Sequence, residues 1–180
     1  MNSRSPRQDA DHLSSIYAPA TEGAVEEFSL DFSIGYQVRT THRALQRYLQ
    51  SKIEPHGVTL GMWYFLRVLW QQDGVTQSDL SRSIGTMEPT TLSAISSMER
   101  SGIVCRIRDE VDRRRQLVFL TKKGRALKKD LLPLAVEVVR DAAAGLSLRE
   151  TAMLLDLLKA VQTNLHAKID EAELAGEDDA

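Results

Sequence analysis

The sequence predicts a mainly α fold of the α+β class: a set of helices that carry one short β hairpin. Three observations predict it. Apolar residues recur at helical spacing over most of the chain. The period drops once, from about 3.6 residues to about 2, on "IVCRIR" and "QLVFLT". Turn residues, among them Pro55, Gly57, Asp73-Gly74, Gly85 and Gly102, cut the rest into helices of ordinary length.

Residues 1–28 are polar and hold Pro6, Pro19 and Gly23, so they read as an N-terminal extension in which Tyr17 and Phe28 are candidate anchors. No apolar stretch follows the first charges, so no secretory signal is expected. A long helix follows, from about Leu30 to Glu54, with Ser29 or Asp31 as its N-cap. Its stripe is Ile34, Val38, Leu45, Leu49 and Ile53, and Pro55 stops it. The next helix, "LGMWYFLRVLWQ" from Leu60 to Gln71, is apolar almost all round and therefore central.

In "VTQSDLSRSIG", Thr76 and Asp79 have capping-box spacing, Val75 suits a hydrophobic staple, and Gly85 suits a C-terminal stop. A helix of about two turns results. Another starts almost at once, in "MEPTTLSAISSMERSG", with Pro89 in its first turn and Gly102 after its end. Two such helices joined by a tight turn make a helix-turn-helix. The hairpin comes directly after, so the combination is a winged helix with Arg113, Arg114 and Arg115 at the wing tip.

Two further helices complete the chain. Leu127, Leu131, Leu134 and Val138 form one stripe, and Leu154, Leu158, Val161 and Leu165 the other; Pro133 is expected to kink the first. A winged helix does not need them to fill its core. Their stripes, with Ile34 and Val38 of the long helix, are expected to meet a second copy of the chain. The expected domains are 1–28 (extension), 29–57 (dimerisation helix), 58–121 (winged helix-turn-helix lobe), 122–169 (C-terminal dimerisation helices) and 170–180 (acidic tail).

Charge points to a polyanionic partner. The net charge is only −2, yet residues 100–129 hold 11 Lys and Arg against 3 Asp and Glu, and the last 11 residues hold 6 acids and no base. A segregated basic patch gathers polyanions whatever the overall balance. On a helical wheel, Thr91, Leu92, Ala94, Ile95 and Met98 cluster inward, opposite Thr90, Ser93, Ser96, Ser97 and Arg100, with Pro89 near the start. Short hydroxyl side chains let a helix approach a groove closely and bond to phosphates or base edges. With no Asn, Gln or second Arg on that face, bidentate base readout falls to Arg100, and groove shape carries part of the specificity.

At this point the chain resembles the MarR (multiple antibiotic resistance regulator) family of bacterial transcription factors, over about Leu30 to Ile169. The wing pattern Asp112-x-Arg114 followed by Leu120-Thr121 carries the likeness, together with "VTQSDLS" and "MERSGIV". The resemblance implies a homodimer that binds a palindromic operator in double-stranded DNA, usually as a repressor released by a small ligand. It also implies that Arg114 enters the minor groove, where a narrow, electronegative channel suits a guanidinium that Asp112 can orient. Arg113 and Arg115 are expected on phosphates, and Arg106 is a further candidate DNA contact. Many relatives place an arginine mid-way along the recognition helix, where this chain has Ser93-Ala94.

Trp63, Arg67 and Trp70 fall on one stripe of the second helix. They read either as a pocket for an anionic aromatic effector or its thioester, or as packing with a snorkelling arginine. His42, at the edge of the first helix's stripe, reads as a buried, satisfied histidine or as an effector contact. The four histidines lack paired ligand spacing, so no metal is expected, and no cofactor. Cys105 alternates with Ile103 and Ile107, as a packed strand residue would; thiol-based redox sensing is the alternative. A single cysteine and the lack of a bilayer-length apolar run suit the cytoplasm and no membrane partner. No nucleophile–base pair or phosphate loop suggests an enzyme. A winged helix used for protein–protein contact is the reading from another class.

Overall fold

The computed structural model describes residues 13–14, 16–17, 30–110, 112–113 and 115–177. The chain divides into two compact units, Met1–Ala135 and Val136–Ala180. The division falls inside the helix Lys122–Ala142.

In the first unit, a 3-10 turn, Leu30–Phe32, leads into α1, Ile34–Ile53. The N-cap is Ser33, whose hydroxyl accepts from the Tyr36 amide at 3.3 Å, not Ser29 or Asp31. The intervening turn moves the helix start about four residues on, from Leu30 to Ile34. Tyr17 anchors the extension here as expected: its hydroxyl donates to the Phe32 carbonyl at 2.6 Å and accepts from the Ile34 amide at 3.3 Å. Phe28 lies outside the described residues. Burial grows along α1, from exposed Ile34 and Val38 through half-buried Leu45 and Leu49 to fully buried Ile53.

α2, Leu60–Leu69, is capped by Thr59 and is central as its composition demands: Met62, Trp63, Phe65, Leu66 and Leu69 are all buried. Next, Val75–Thr76 forms a short strand, β1, pairing with Val118 and Leu117 of the hairpin. Val75, the residue before the α3 cap, is therefore also a buried strand residue. α3, Gln77–Ile84, starts with a complete Thr76–Asp79 capping box and ends at Gly85 in the left-handed region, φ 70°. α4, Glu88–Arg100, follows after two residues.

The hairpin strands are β2, Val104–Arg108, and β3, Gln116–Leu120, in register from Val104↔Leu120 to Arg108↔Gln116. β3 lies centrally in the order β1-β3-β2. α5, Lys122–Ala142, starts on Thr121, whose hydroxyl accepts from the Gly124 amide and donates to the Gly102 and Ile103 carbonyls. Gly124 is required there. A Cβ at that position would stand 2.2 Å from the Ile103 carbonyl oxygen, so only glycine lets α5 cross the root of β2. α5 continues through Pro133 as one helix.

The core of this unit runs from Ile53 through α2, Leu80, Ile95, Met98, Ile103, Val104, Val118 and Leu120 to Leu127 and Leu131. Leu131 is wholly buried and Leu134 packs at the edge. These two were expected to face a second copy. The apolar period on α5 identified a buried face, but the chain's own lobe covers its first half.

The second unit contains the end of α5 and α6, Leu148–Glu177. Ser147 and Glu150 form a reciprocal cap: the Ser147 amide donates to Glu150 Oε2 at 2.8 Å, and the Glu150 amide to Ser147 Oγ at 3.2 Å. Along α6, Leu154, Leu157, Leu165, Ile169 and Leu174 are exposed, while Leu158 and Val161 are half-buried.

Candidate nucleic-acid interface

The turn between α3 and α4 is closed by one side chain. Buried Ser81 donates its hydroxyl to the Thr86 carbonyl, and the Thr86 amide donates to the Ser81 carbonyl at 3.0 Å. Ser78 adds a bond to Glu88 at 2.7 Å. These contacts fix the angle at which α4 leaves α3. A serine four residues before a helix-stopping glycine is a weak signal, and nothing in the sequence alone gives Ser81 a role.

On α4, Thr91, Ile95 and Met98 are buried. Pro89, Thr90, Ser93 and Arg100 are exposed; Ser96 and Ser97 are half-buried. The hydroxylated outer face therefore exists. Ser93 turns its hydroxyl back to the Pro89 carbonyl at 3.0 Å, leaving that oxygen able to accept. Leu92 departs from the expected inward cluster: it is 45% exposed, because the inward arc is narrower than the wheel drew it.

The wing tip is closed from within. Asp109 and Arg115 join backbones at 3.0 Å, the Arg115 amide donates to the Asp112 carbonyl at 2.8 Å, and the Asp112 amide donates to Asp109 Oδ1 at 3.3 Å. Asp112 Oδ2 also lies 3.4 Å from Arg115 Nε. Asp112 thus shapes the turn and engages Arg115. Arg113 and Arg115 are exposed; Arg114, the residue of the minor-groove expectation, lies outside the described residues.

Arg106 is used differently from the expectation. It sits opposite Val118 on the inner face of the hairpin and grips Glu99 Oε2 through Nε, at 3.1 Å, and through Nη2. That bond holds the Glu99 carboxyl below its ordinary range. Arg106 is a strut between α4 and the wing, and its guanidinium is engaged within the chain.

The relatives fit this geometry. The MarR family model matches residues 58–115. The chain is 32% identical over 148 residues to the HTH-type transcriptional regulator TtmR of Methylorubrum extorquens, covering 81% of this chain and 74% of that protein. The chain belongs to the MarR family of transcriptional regulators. A MarR transcriptional regulator from Methanosarcina mazei, solved by crystallography, superposes with TM-score 0.67 at 34% identity, covering 73% of this chain and 94% of that one. The homoprotocatechuate degradative operon repressor of Escherichia coli is 26% identical over 64% of this chain and 78% of its own length.

In this MarR-family chain the three effector candidates on α2 do come together. Trp63 and Trp70 meet edge to face with centroids 5.7 Å apart, and Arg67 lies 5.5 Å over the Trp63 ring. Trp63 is buried in the core, and the Trp70 Nε1 donates to the Gly124 carbonyl at 3.0 Å, tying α2 to α5. The two indoles serve packing; Arg67 remains exposed. His42 is exposed rather than buried. A cleft of about 500 Å³ opens nearby, lined by Arg43, Gln46, Arg47, Gln50, Glu54 and Leu60 among others.

Cys105 is half-buried opposite Phe119. Among the described residues no three His, Cys, Asp or Glu side chains converge as metal ligands, and no helix is long and apolar enough to cross a membrane. In the sequence Asp73 reads only as a turn residue. Its Oδ1 accepts from the Leu120 amide at 2.7 Å and its Oδ2 from Arg125 at 2.9 Å, so it locks the α2–β1 turn to the end of β3 and to α5.

Proposed function

We propose that the chain represses transcription as a homodimer that binds a palindromic site in double-stranded DNA and is released by a small anionic aromatic molecule or its thioester. The observation that carries the DNA-binding half is one lobe presenting two exposed features side by side. These are the hydroxylated outer face of α4 and the cationic tip that includes Arg113 and Arg115. The strut from Glu99 to Arg106 holds them in fixed relation. In this reading α4 lies in the major groove, where Thr90, Ser93, Ser97 and Arg100 meet base edges and phosphates. The wing lies along the minor groove, with Arg114 inserted and Arg113 and Arg115 on phosphates.

Dimerisation supplies the second half-site. Exposed Ile34 and Val38 on α1, and Leu154 and Leu165 on α6, support it, because apolar side chains at helical spacing gain from a covering partner. Effector release is supported by the cleft with Arg43 and Arg47, by exposed Arg67, and by a relative named for an operon of aromatic degradation. An arginine-lined cleft suits a carboxylate.

The test is a mobility-shift and anisotropy assay on the DNA upstream of the chain's own gene, with and without aromatic acids and their thioesters. A dimer neutralising roughly 6–10 phosphates should lose about a thousandfold or more in affinity between 50 and 200 mM salt. Arg114→Ala should weaken binding by at least about tenfold, the worth of one good base or groove contact. A monomeric protein, or unchanged affinity on neutralising Arg113, Arg114 and Arg115 together, would sink the reading.

A further inference from the structure

α4 carries one exposed side chain that neither solvent nor phosphate favours. Leu92 is 45% accessible on a helix whose other exposed residues are Glu88, Pro89, Thr90, Ser93 and Arg100. Its direction follows from the helix itself. Residues seven apart share a row, so Leu92 and Glu99 lie on the same flank. Glu99 faces the wing, because it is bonded to Arg106 of β2. Leu92 therefore projects along the wing-side flank of α4, two turns nearer the helix start. Thr90 and Ser97 form the corresponding row on the far flank, with Ser93 and Arg100 between.

The chemistry of a groove floor narrows what this side chain can meet. The major groove offers hydrogen-bond donors and acceptors on every base pair but only one apolar group, the C5-methyl of thymine. A hydroxyl both donates and accepts, so Thr90 and Ser97 discriminate weakly between bases, while Ser93, whose proton goes to the Pro89 carbonyl, can only accept. α4 holds no Asn or Gln, and Arg100 is its single long donor. An apolar flank residue near the start of the helix, where base contacts concentrate, is thus a source of unambiguous readout.

We propose that Leu92 is a specificity-determining residue that contacts the C5-methyl of a thymine in each half-site. The proposal rests on the DNA-binding reading above. Covering one methyl is worth about a fourfold change in affinity per half-site.

The experiment begins with duplexes selected by the purified full chain from a random-sequence pool. The tightest is resynthesised with deoxyuridine replacing each thymine in turn, which removes only the methyl. Binding is followed by fluorescence anisotropy. The expected result is one position per half-site at which deoxyuridine weakens binding about three- to fivefold. Leu92→Ala, which alters both half-sites of the dimer, should bind the thymine duplex weaker by about the square of that factor, roughly tenfold or more, and no longer distinguish the two duplexes. Its exposure predicts an unchanged helical circular dichroism spectrum. If deoxyuridine is tolerated at every position, or if Leu92→Ala keeps the discrimination, Leu92 does not read the methyl while DNA binding stands. If the chain selects no duplex at all, both this inference and the DNA-binding reading fall.

Discussion

Glu99 and Arg106 are bonded side chain to side chain across the step from α4 to β2, with Arg106 Nε 3.1 Å from Glu99 Oε2. The pair is partly exposed, at 38% and 26%, so solvent screens it and its worth to stability is small. Its worth is geometric, since it ties α4 to the wing.

A double-mutant cycle separates the observed bracing role of Arg106 from the DNA contact expected of it. Glu99→Gln and Arg106→Gln should each cost roughly 0.5 kcal/mol of stability, with a coupling of about the same size. Both should weaken DNA binding without changing the salt slope. A phosphate contact would instead lower that slope by about 1 for each protomer's arginine. A reduced slope for Arg106→Gln would return Arg106 to the list of DNA contacts.

Acid should loosen the same joint. The hydrogen bond from Arg106 depresses the folded-state Glu99 pKa from its ordinary value of 4.5. A depressed carboxylate stabilises fully above the unfolded value, and the contribution is lost as pH falls through the folded value. Asp79, lowered by the Thr76 hydroxyl and Arg82, and Glu150, lowered by Ser147, act in the same direction. Urea midpoints should therefore fall as the pH drops below 4.5, and the fall should be shallower for Glu99→Gln. Acid limbs that superimpose would show that the bond does not form in solution.

Thr91 offers a substitution that should stabilise. It is fully buried on the inner face of α4, and its hydroxyl has no hydrogen-bond partner among the described residues. Replacing that hydroxyl with a methyl of similar shape removes an unmatched polar atom, so Thr91→Val should add about 1 kcal/mol. Calorimetry would show the melting temperature rise by several degrees. A lower melting temperature would mean that the hydroxyl has a partner after all.

Gly124→Ala should have the opposite sign to the usual helix rule. Alanine normally favours a helix over glycine by about 1 kcal/mol. Here its Cβ would press on the Ile103 carbonyl at 2.2 Å, with Leu120 at 3.0 Å alongside. The expected cost is about 1–3 kcal/mol, from overpacking against backbone. Chemical denaturation of the variant measures it; an unchanged midpoint would contradict the close crossing of α5 over β2.

The winged helix was legible because its boundaries are set locally. Thr76 with Asp79, Gly85 and Pro89 each mark an end through residues a few positions away. What the sequence did not show depends on partners far along the chain. Val75 becomes a strand only because Val118 lies beside it. Leu131 shows a buried face by its spacing, but spacing does not say whether the cover comes from the same chain. Arg106 belonged to a basic run, and its partner Glu99 stood on a different element. Leu92 lay at the margin of the wheel, where the inward arc can end on either side of a residue. The candidate interface was thus readable as a set of positions, and the division between those that reach outward and those that brace the lobe was not.

The single oxygen of Thr121 is shared by two elements, since it joins the α4–β2 turn to the first turn of α5. Position 121 therefore has almost no mutational freedom. Serine can replace threonine there, whereas valine, of nearly the same size, would unfasten both elements at once. Sequence drift in descendants of this chain should pass around that site and accumulate at the wing tip's neighbours instead.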